Sequence, residues 1–456
     1  MWKLEDWQYP CYNIKNGRCN AILKWNKSYK LIYEEQTKNI IPILSLKRPH
    51  SRSFYLSLCA LILSFCGLFN FNSIYLFQYD ISINNVRIDN VILFSSAALT
   101  RFTIGLISDR YGIRLTYSVL LLFSGMIGIL KLFLIQYTII RRVLTIFYGI
   151  LGGSFVLSEI WVIIMFDTSI LGLVTGIIGG FGNFGSILVF LINSYLPNIY
   201  YFIWIYVLMI ILSFIIYKYS DDCPYGNYNE YTHTHTNLDN TITSNDNNLD
   251  NTITSNDNNL DNTITSHYSN DNNINIENII NDIEFNFDTN CNSKIFILAL
   301  IYLYSFGLEL TLYSNLILLK NVNKIYMFSI SNIICRPVGG YISDIQYKHF
   351  KIIGKIKAMF FFQICTLIIS NITLELNFKI MLLSCFNNLL QGSIIGIIPH
   401  INSKNIGFNF GIISGFGIIG GIIGNILLYY LTIEKTLRYI TIYNFSTLIL
   451  NIFCLL

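Results

Sequence analysis

Twelve blocks of about 20 mostly apolar residues punctuate this 456-residue chain, and nothing else in it restricts the fold so tightly. Each block is long enough to cross a hydrocarbon core of roughly 30 Å as an α-helix. They fall at 54–77, 90–108, 113–135, 143–166, 169–192, 198–217, 294–319, 325–343, 355–373, 379–398, 406–430 and 437–456. Only 12% of the residues are charged and 53% are hydrophobic, whereas soluble domains carry about 25% charged residues. The mean hydropathy of +0.51 agrees. The sequence therefore predicts an all-α, multi-pass membrane protein with 12 transmembrane helices.

Two polar regions interrupt the pattern. Residues 1–53 form a basic N-terminal segment, with ten Lys or Arg among the first 52 against Glu5, Asp6, Glu34 and Glu35. That segment has no early apolar run of the signal-peptide kind, and its positive excess ahead of the first span predicts a cytoplasmic N-terminus. Residues 218–293 are rich in Asn, Asp, Ser and Thr; NLDNTITSNDN occupies 237–247, recurs at 248–258, and starts again at 259. Such residues cannot bury enough apolar surface to offset the entropy of ordering. The tract is expected to be a disordered cytoplasmic linker between six-helix halves at 54–217 and 294–456. The ten cysteines show no metal-ligand spacing. Cys59, Cys66, Cys365, Cys385 and Cys454 sit inside apolar blocks and read as packing residues. Cys335 neighbours Arg336, and His233 and His235 lie in the polar tract, so no metal site and no cofactor are expected.

The two halves echo each other. RFTIGLISD at 101–109 and RPVGGYISD at 336–344 share Arg, Gly, Ile, Ser and Asp at an offset of 235 residues. GIIGGFGNFG from Gly176 and GIISGFGIIG from Gly411 are again 235 apart. Two motif pairs with one offset indicate a duplicated six-helix unit, the 6+6 arrangement of major facilitator halves about an axis along the membrane normal.

Each arginine lies eight residues before an aspartate at its helix end, roughly 12 Å deep at 1.5 Å per residue. An intramembrane Arg costs about 2.5 kcal/mol or more on insertion scales and has to face a polar cavity or a partner. Pseudo-symmetry sets Arg101 and Arg336 on opposite walls of a central cavity, where an anion between them relieves their repulsion. The guanidinium fork suits a planar oxyanion. The alternative is that each Arg pairs with an internal acid, Glu159 or Glu309. Asp109, Arg110 and Arg114, with Asp344 in the second copy, read as gating charges that hold helix ends together in one state and release them in another. The glycine runs, Gly180 and Gly415 among them, allow close helix approach and leave room for a ligand; Asn183 offers an amide donor.

These segments resemble the nitrate/nitrite porters of the major facilitator superfamily, nearer their eukaryotic branch. RFTIGLISDRYGIR resembles the family's second-helix arginine motif, and FVLSEIWVIIMF with GLVTGIIGGFGNFG resembles its fourth and fifth helices. IYLYSFGLELT, CRPVGGYISD, QGSIIGIIPHINSKNIG and FGIISGFGIIGG follow in family order. The resemblance implies that Arg101 and Arg336 clamp the oxyanion, that Asn183 and Tyr302 complete its shell, and that the halves rock, by nitrate/nitrite exchange or proton-coupled uptake. Departures include Ile418 where the family carries a second Asn, and Glu159 where a neutral polar residue is usual.

The expected function is thus secondary active transport of nitrate or nitrite by a monomer in the bilayer, with no enzymatic activity and no nucleic-acid partner. Protons are a candidate coupling ion through Glu309 or Glu159, since a buried carboxyl can hold a proton. A transporter of another small anion, such as a carboxylate, is the first alternative, and a non-transporting membrane anion sensor the second.

Overall fold

The computed structural model describes residues 49–77, 81–195, 200–224, 293–318, 322–373, 375–401 and 406–455. The basic segment up to residue 48 and the tract from 225 to 292, with His233 and His235, lie outside the described residues.

The N-terminal set of helices comprises α1 (His50–Phe77), α2 (Ile83–Tyr111), α3 (Ile113–Phe133), α4 (Thr138–Tyr148), α5 (Ser154–Met165), α6 (Leu171–Gly182), α7 (Phe184–Tyr195) and α8 (Tyr200–Tyr219). The C-terminal set comprises α9 (Ser293–Leu318), α10 (Val322–Asn371), α11 (Leu376–Ile395), α12 (Ile398–Ile401), α13 (Ile406–Tyr430) and α14 (Ile433–Leu455). Among the described residues, ten helices are long and apolar enough to cross a membrane. In lipid a helix satisfies its own backbone groups, so apolar runs of this length have little other choice. Large apolar side chains such as Leu99, Ile139 and Trp204 are exposed on the outside of the bundle, where acyl chains replace water.

Three departures from the expected spans have local causes. The fourth span is α4 and α5 joined by a 3-10 turn at Gly149–Gly153, whose sequence GILGG brings the chain close to Ser96 and Ala97 of α2. The fifth span is α6 and α7, separated at Asn183. The eighth and ninth spans run together as α10, two helices meeting at Lys351, where φ is 54° and ψ −143°. The twelfth is α14, which is not among the ten. Of the cysteines read as packing residues, Cys66 is buried but Cys59 is exposed.

Polar contacts fix the ends. Arg141 Nε donates to Asp89 Oδ2 at 2.8 Å, and Arg142 Nε reaches Asp89 Oδ1 at 3.3 Å, tying α4 to the start of α2. Between α2 and α3 the chain turns at Gly112, with φ 86°. A Cβ there would lie 2.8 Å from Asp222 Oδ1, which accepts the Arg114 backbone N–H at 2.7 Å. Positive φ costs a non-glycine residue about 1–2 kcal/mol. Gly112→Ala should therefore lower the detergent-solubilised protein's unfolding free energy by about 2 kcal/mol, read as a fall in the thermal midpoint; an unchanged midpoint would show that this turn relaxes freely.

Candidate functional site: two buried arginines

Across the bundle, α2 packs along α13, and α10 along α6. Both arginines sit at these crossings, buried at 3% exposure for Arg101 and 0% for Arg336. Arg101 Nη1 donates to the Ser414 carbonyl of α13 at 3.2 Å, and Arg336 Nη1 to the Gly179 carbonyl of α6 at 3.1 Å. Those two acceptors are themselves 235 residues apart. Each arginine thus reaches the glycine-rich helix of the other set, at matching positions. Gly179 permits this: a Cβ there would stand 3.0 Å from Arg336 Nη1.

The surroundings then diverge. Arg101 Nε donates to the Gly152 carbonyl of the 3-10 turn at 3.0 Å, and its guanidinium lies 4.8 Å and 5.0 Å from the ring centroids of Phe155 and Phe306. Cation–π contact of this kind is worth about 2 kcal/mol when desolvated. Arg336 Nη2 instead donates to Glu309 Oε2 at 2.8 Å. The internal-acid alternative therefore describes Arg336 with Glu309, and does not describe Arg101. Glu309 Oε1 accepts from Asn183 Nδ2 at 3.3 Å and from Asn332 Nδ2. Asn183 is thus held by Glu309 and the Gly179 carbonyl.

Among the described residues, several buried polar atoms have no hydrogen-bond partner: Arg336 Nε, the Tyr302 hydroxyl, the Asn332 side-chain carbonyl and both oxygens of Glu159. Tyr302 stacks on Phe306 at 5.4 Å, and Arg336, Arg101, Glu309 and Glu159 are its ionic neighbours. The two expected glycines are spacers: Gly180 lies against the Asn332 carbonyl and Pro337, and Gly415 against the Phe102 ring. Asn332 was not among the expected residues, although it lies one helical turn before Arg336.

At one end of the bundle the aspartates form a second matched pair. Asp109 accepts the backbone N–H of Gly407 at 3.1 Å and of Phe408 at 3.0 Å, at the start of α13. Asp344 accepts those of Gly172 at 3.0 Å and Leu173 at 2.7 Å, at the start of α6. Carboxylates suit these positions because a helix N-terminus presents free N–H groups and positive potential. Asp344 also takes the buried Lys355 Nζ at 2.8 Å, an ammonium that donates further to the Gly396 and Thr168 carbonyls. The expected charge cluster on the first loop is not assembled around Asp109. Arg110 is exposed over the Tyr111 ring, while Arg114 donates through Nη1 to the Tyr217 carbonyl and lies 3.9 Å from Asp222. Helix N–H groups, rather than loop arginines, complete the contact.

The architecture matches a known transporter fold. The crystal structure of the human organic anion transporter MFSD10 (TETRAN) superposes with a TM-score of 0.57 at 11% identity, over 89% of this chain and 100% of that one. The helices thus share the fold of that transporter. No family model matches the chain. Its curated relatives include high affinity nitrate transporter 2.7 of Arabidopsis thaliana, 24% identical over 84% of this chain and 79% of the relative. High-affinity nitrate transporter 2.3 of Oryza sativa subsp. japonica is 25% identical over 86% and 75%. Nitrate/nitrite transporter NrtP of Nostoc punctiforme is 39% identical over a shorter stretch, 19% of this chain and 17% of its own. The chain is thus similar over most of its length to proteins named nitrate transporters, in keeping with the resemblance read from its motifs.

Leaving one member of a buried ion pair without its partner costs about 3–5 kcal/mol. Glu309→Ala should accordingly destabilise the protein by about 3–5 kcal/mol, in thermal or denaturant unfolding of the purified protein, with Glu309→Gln milder. Equal stability of Glu309→Ala and the parent would remove Glu309 as the counter-ion.

Proposed function

We propose that this chain is a secondary active transporter of a small inorganic oxyanion, nitrate or nitrite, working by alternating access between two six-helix halves with 12 crossings in all. The observation that carries this reading is the matched reach of Arg101 and Arg336 into opposite helix sets. Arg336 Nε and the Tyr302 hydroxyl, buried without partners among the described residues, add donors for an oxyanion, and a guanidinium edge presents paired N–H groups to it. An anion bridging both arginines pulls the halves together from the middle, so its arrival and departure are coupled to their rocking. Asn183, fixed by Glu309, orients the Arg336 side of the clamp. Gly180 and Gly415 keep the helices close enough for both arginines to engage.

The aspartate caps supply the gate. With the N-terminus cytoplasmic, α2 returns to the cytoplasmic side at Asp109, so these contacts close the cytoplasmic end. Opening there detaches Asp109 from α13 and Asp344 from α6. Arg114 stays with its own half by holding Asp222, and Arg110 remains at the surface.

Two measurements test this. Labelled nitrate uptake into vesicles should fall at least about a hundredfold in Arg101→Lys and in Arg336→Lys, because an ammonium cannot form the planar fork; undiminished uptake in both would reject the clamp. A panel of unlabelled nitrate, nitrite and formate separates an inorganic oxyanion from a carboxylate as substrate. For the gate, charge-assisted hydrogen bonds are worth about 1.5–3 kcal/mol each. Asp109→Asn should then raise labelling of Ser169→Cys by an impermeant thiol reagent by about tenfold or more. Labelling that stays constant would show that the cap does not hold this end closed.

A further inference from the structure

Away from the central arginines and the aspartate caps, one further buried cation has no ion-pair or hydrogen-bond partner among the described residues: Lys131 of α3, 2% exposed. Its Nζ lies 3.8 Å from the ring centroid of Phe71, 5.8 Å from that of Tyr75 and 5.2 Å from that of Tyr148. Asp89 of α2 and Arg141 of α4 are its ionic neighbours. That carboxylate is already committed. Its Oδ2 accepts Arg141 Nε at 2.8 Å and its Oδ1 accepts Arg142 Nε at 3.3 Å. The Arg142 side chain is 34% exposed and reaches water. Arg141 is buried, its Cζ lies 5.1 Å from the same Tyr75 centroid, and its Nη2 has no hydrogen-bond partner among the described residues. The Tyr75 hydroxyl, beside Thr145, is likewise buried and unpartnered there.

The charges and the donors are out of balance in the same direction. Within the buried part, Lys131 and Arg141 face one carboxylate, Asp89, which leaves one positive charge in excess. Aromatic faces offset part of the cost of desolvating an ammonium. An unpaired ion in a low-dielectric interior costs several times more than such contacts return. A buried guanidinium nitrogen without an acceptor adds to the deficit. One monovalent anion would answer both, bringing a negative charge and lone pairs for Lys131 Nζ, Arg141 Nη2 and the Tyr75 hydroxyl.

We propose that Lys131 and Arg141 hold a small monovalent inorganic anion, of the size of chloride or nitrate, in a second site at the end of the bundle opposite the aspartate caps. Asp89 lies 12 residues before Arg101 on α2, roughly 18 Å along the axis, so this site is separate from the centre. Its residues come from α1 to α4, all in the N-terminal set. The anion therefore stays with that set when the two sets move, as a stabiliser rather than as cargo. The site does not depend on the central clamp.

The test counts anions on the purified full chain by equilibrium dialysis with labelled chloride and labelled nitrate, beside Lys131→Met and Arg101→Lys. The wild type should bind one chloride or nitrate that Arg101→Lys retains. Lys131→Met should bind that anion about tenfold more weakly or worse, as expected for one lost charge-assisted hydrogen bond. Wild-type crystals soaked in bromide, in chloride-free buffer, should show anomalous density between Lys131 Nζ and Arg141 Nη2. Binding of both anions unchanged in Lys131→Met would overturn the site and leave Lys131 a neutral amine in an aromatic box. Binding lost in Arg101→Lys but kept in Lys131→Met would uphold the central clamp and reject this site. Binding lost in Lys131→Met but kept in Arg101→Lys would uphold this site whether or not the clamp exists. If Lys131→Met does not fold, the bromide density decides, and none between the two cations overturns the proposal.

Discussion

A guanidinium ion withdrawn from water has to be matched, and the interior of this protein is arranged around two of them. At the bilayer centre the mismatch amounts to about 2.5–3.5 kcal/mol even on the mildest scale. Here each charge is met by a carbonyl on the opposite set of helices, Ser414 for Arg101 and Gly179 for Arg336. Solvating the arginines and joining the two sets are therefore one act. The glycine runs follow from it, because a larger residue at Gly179 would collide with the Arg336 headgroup.

Matching geometry does not mean matching environment. Aromatic faces flank Arg101, whereas Glu309 and two amides surround Arg336 and its counter-ion. The first arginine is left with its full charge and a polarisable wall; the second is largely neutralised by its neighbour. An anion bound as proposed would meet one strong attractor and one oriented hydrogen-bond fork.

Much of this was legible in the residues. The apolar blocks marked the helices because lipid leaves a backbone few alternatives, and the shared 235-residue offset exposed the arginine and aspartate pairs. That offset extends to partners no motif announced: Gly172 and Gly407, and Gly179 and Ser414. The partners of Asp109 were less legible. Arg110 and Arg114 beside Asp109 suggested a charge cluster, but Asp109 bonds to backbone N–H groups of α13, which no side-chain pattern advertises. Asn332 and Lys355 escaped notice for a related reason. Their importance comes from what crosses them in space, although a lysine inside an apolar stretch is itself a warning. The break at Asn183 and the tight turn at Gly149–Gly153 were hidden inside runs whose hydropathy is continuous.

The two aspartate caps differ in one respect that bears on motion. Asp344 is braced by Lys355, which also grips the Gly396 and Thr168 carbonyls; among the described residues Asp109 has only the two amides of α13. Clasps of unequal strength do not let go together. Under the alternating access proposed above, the seam between α2 and α13 would part before the seam between α10 and α6. In that proposed cycle the opening would resemble a door swinging from a stiffer edge rather than an even split down the middle.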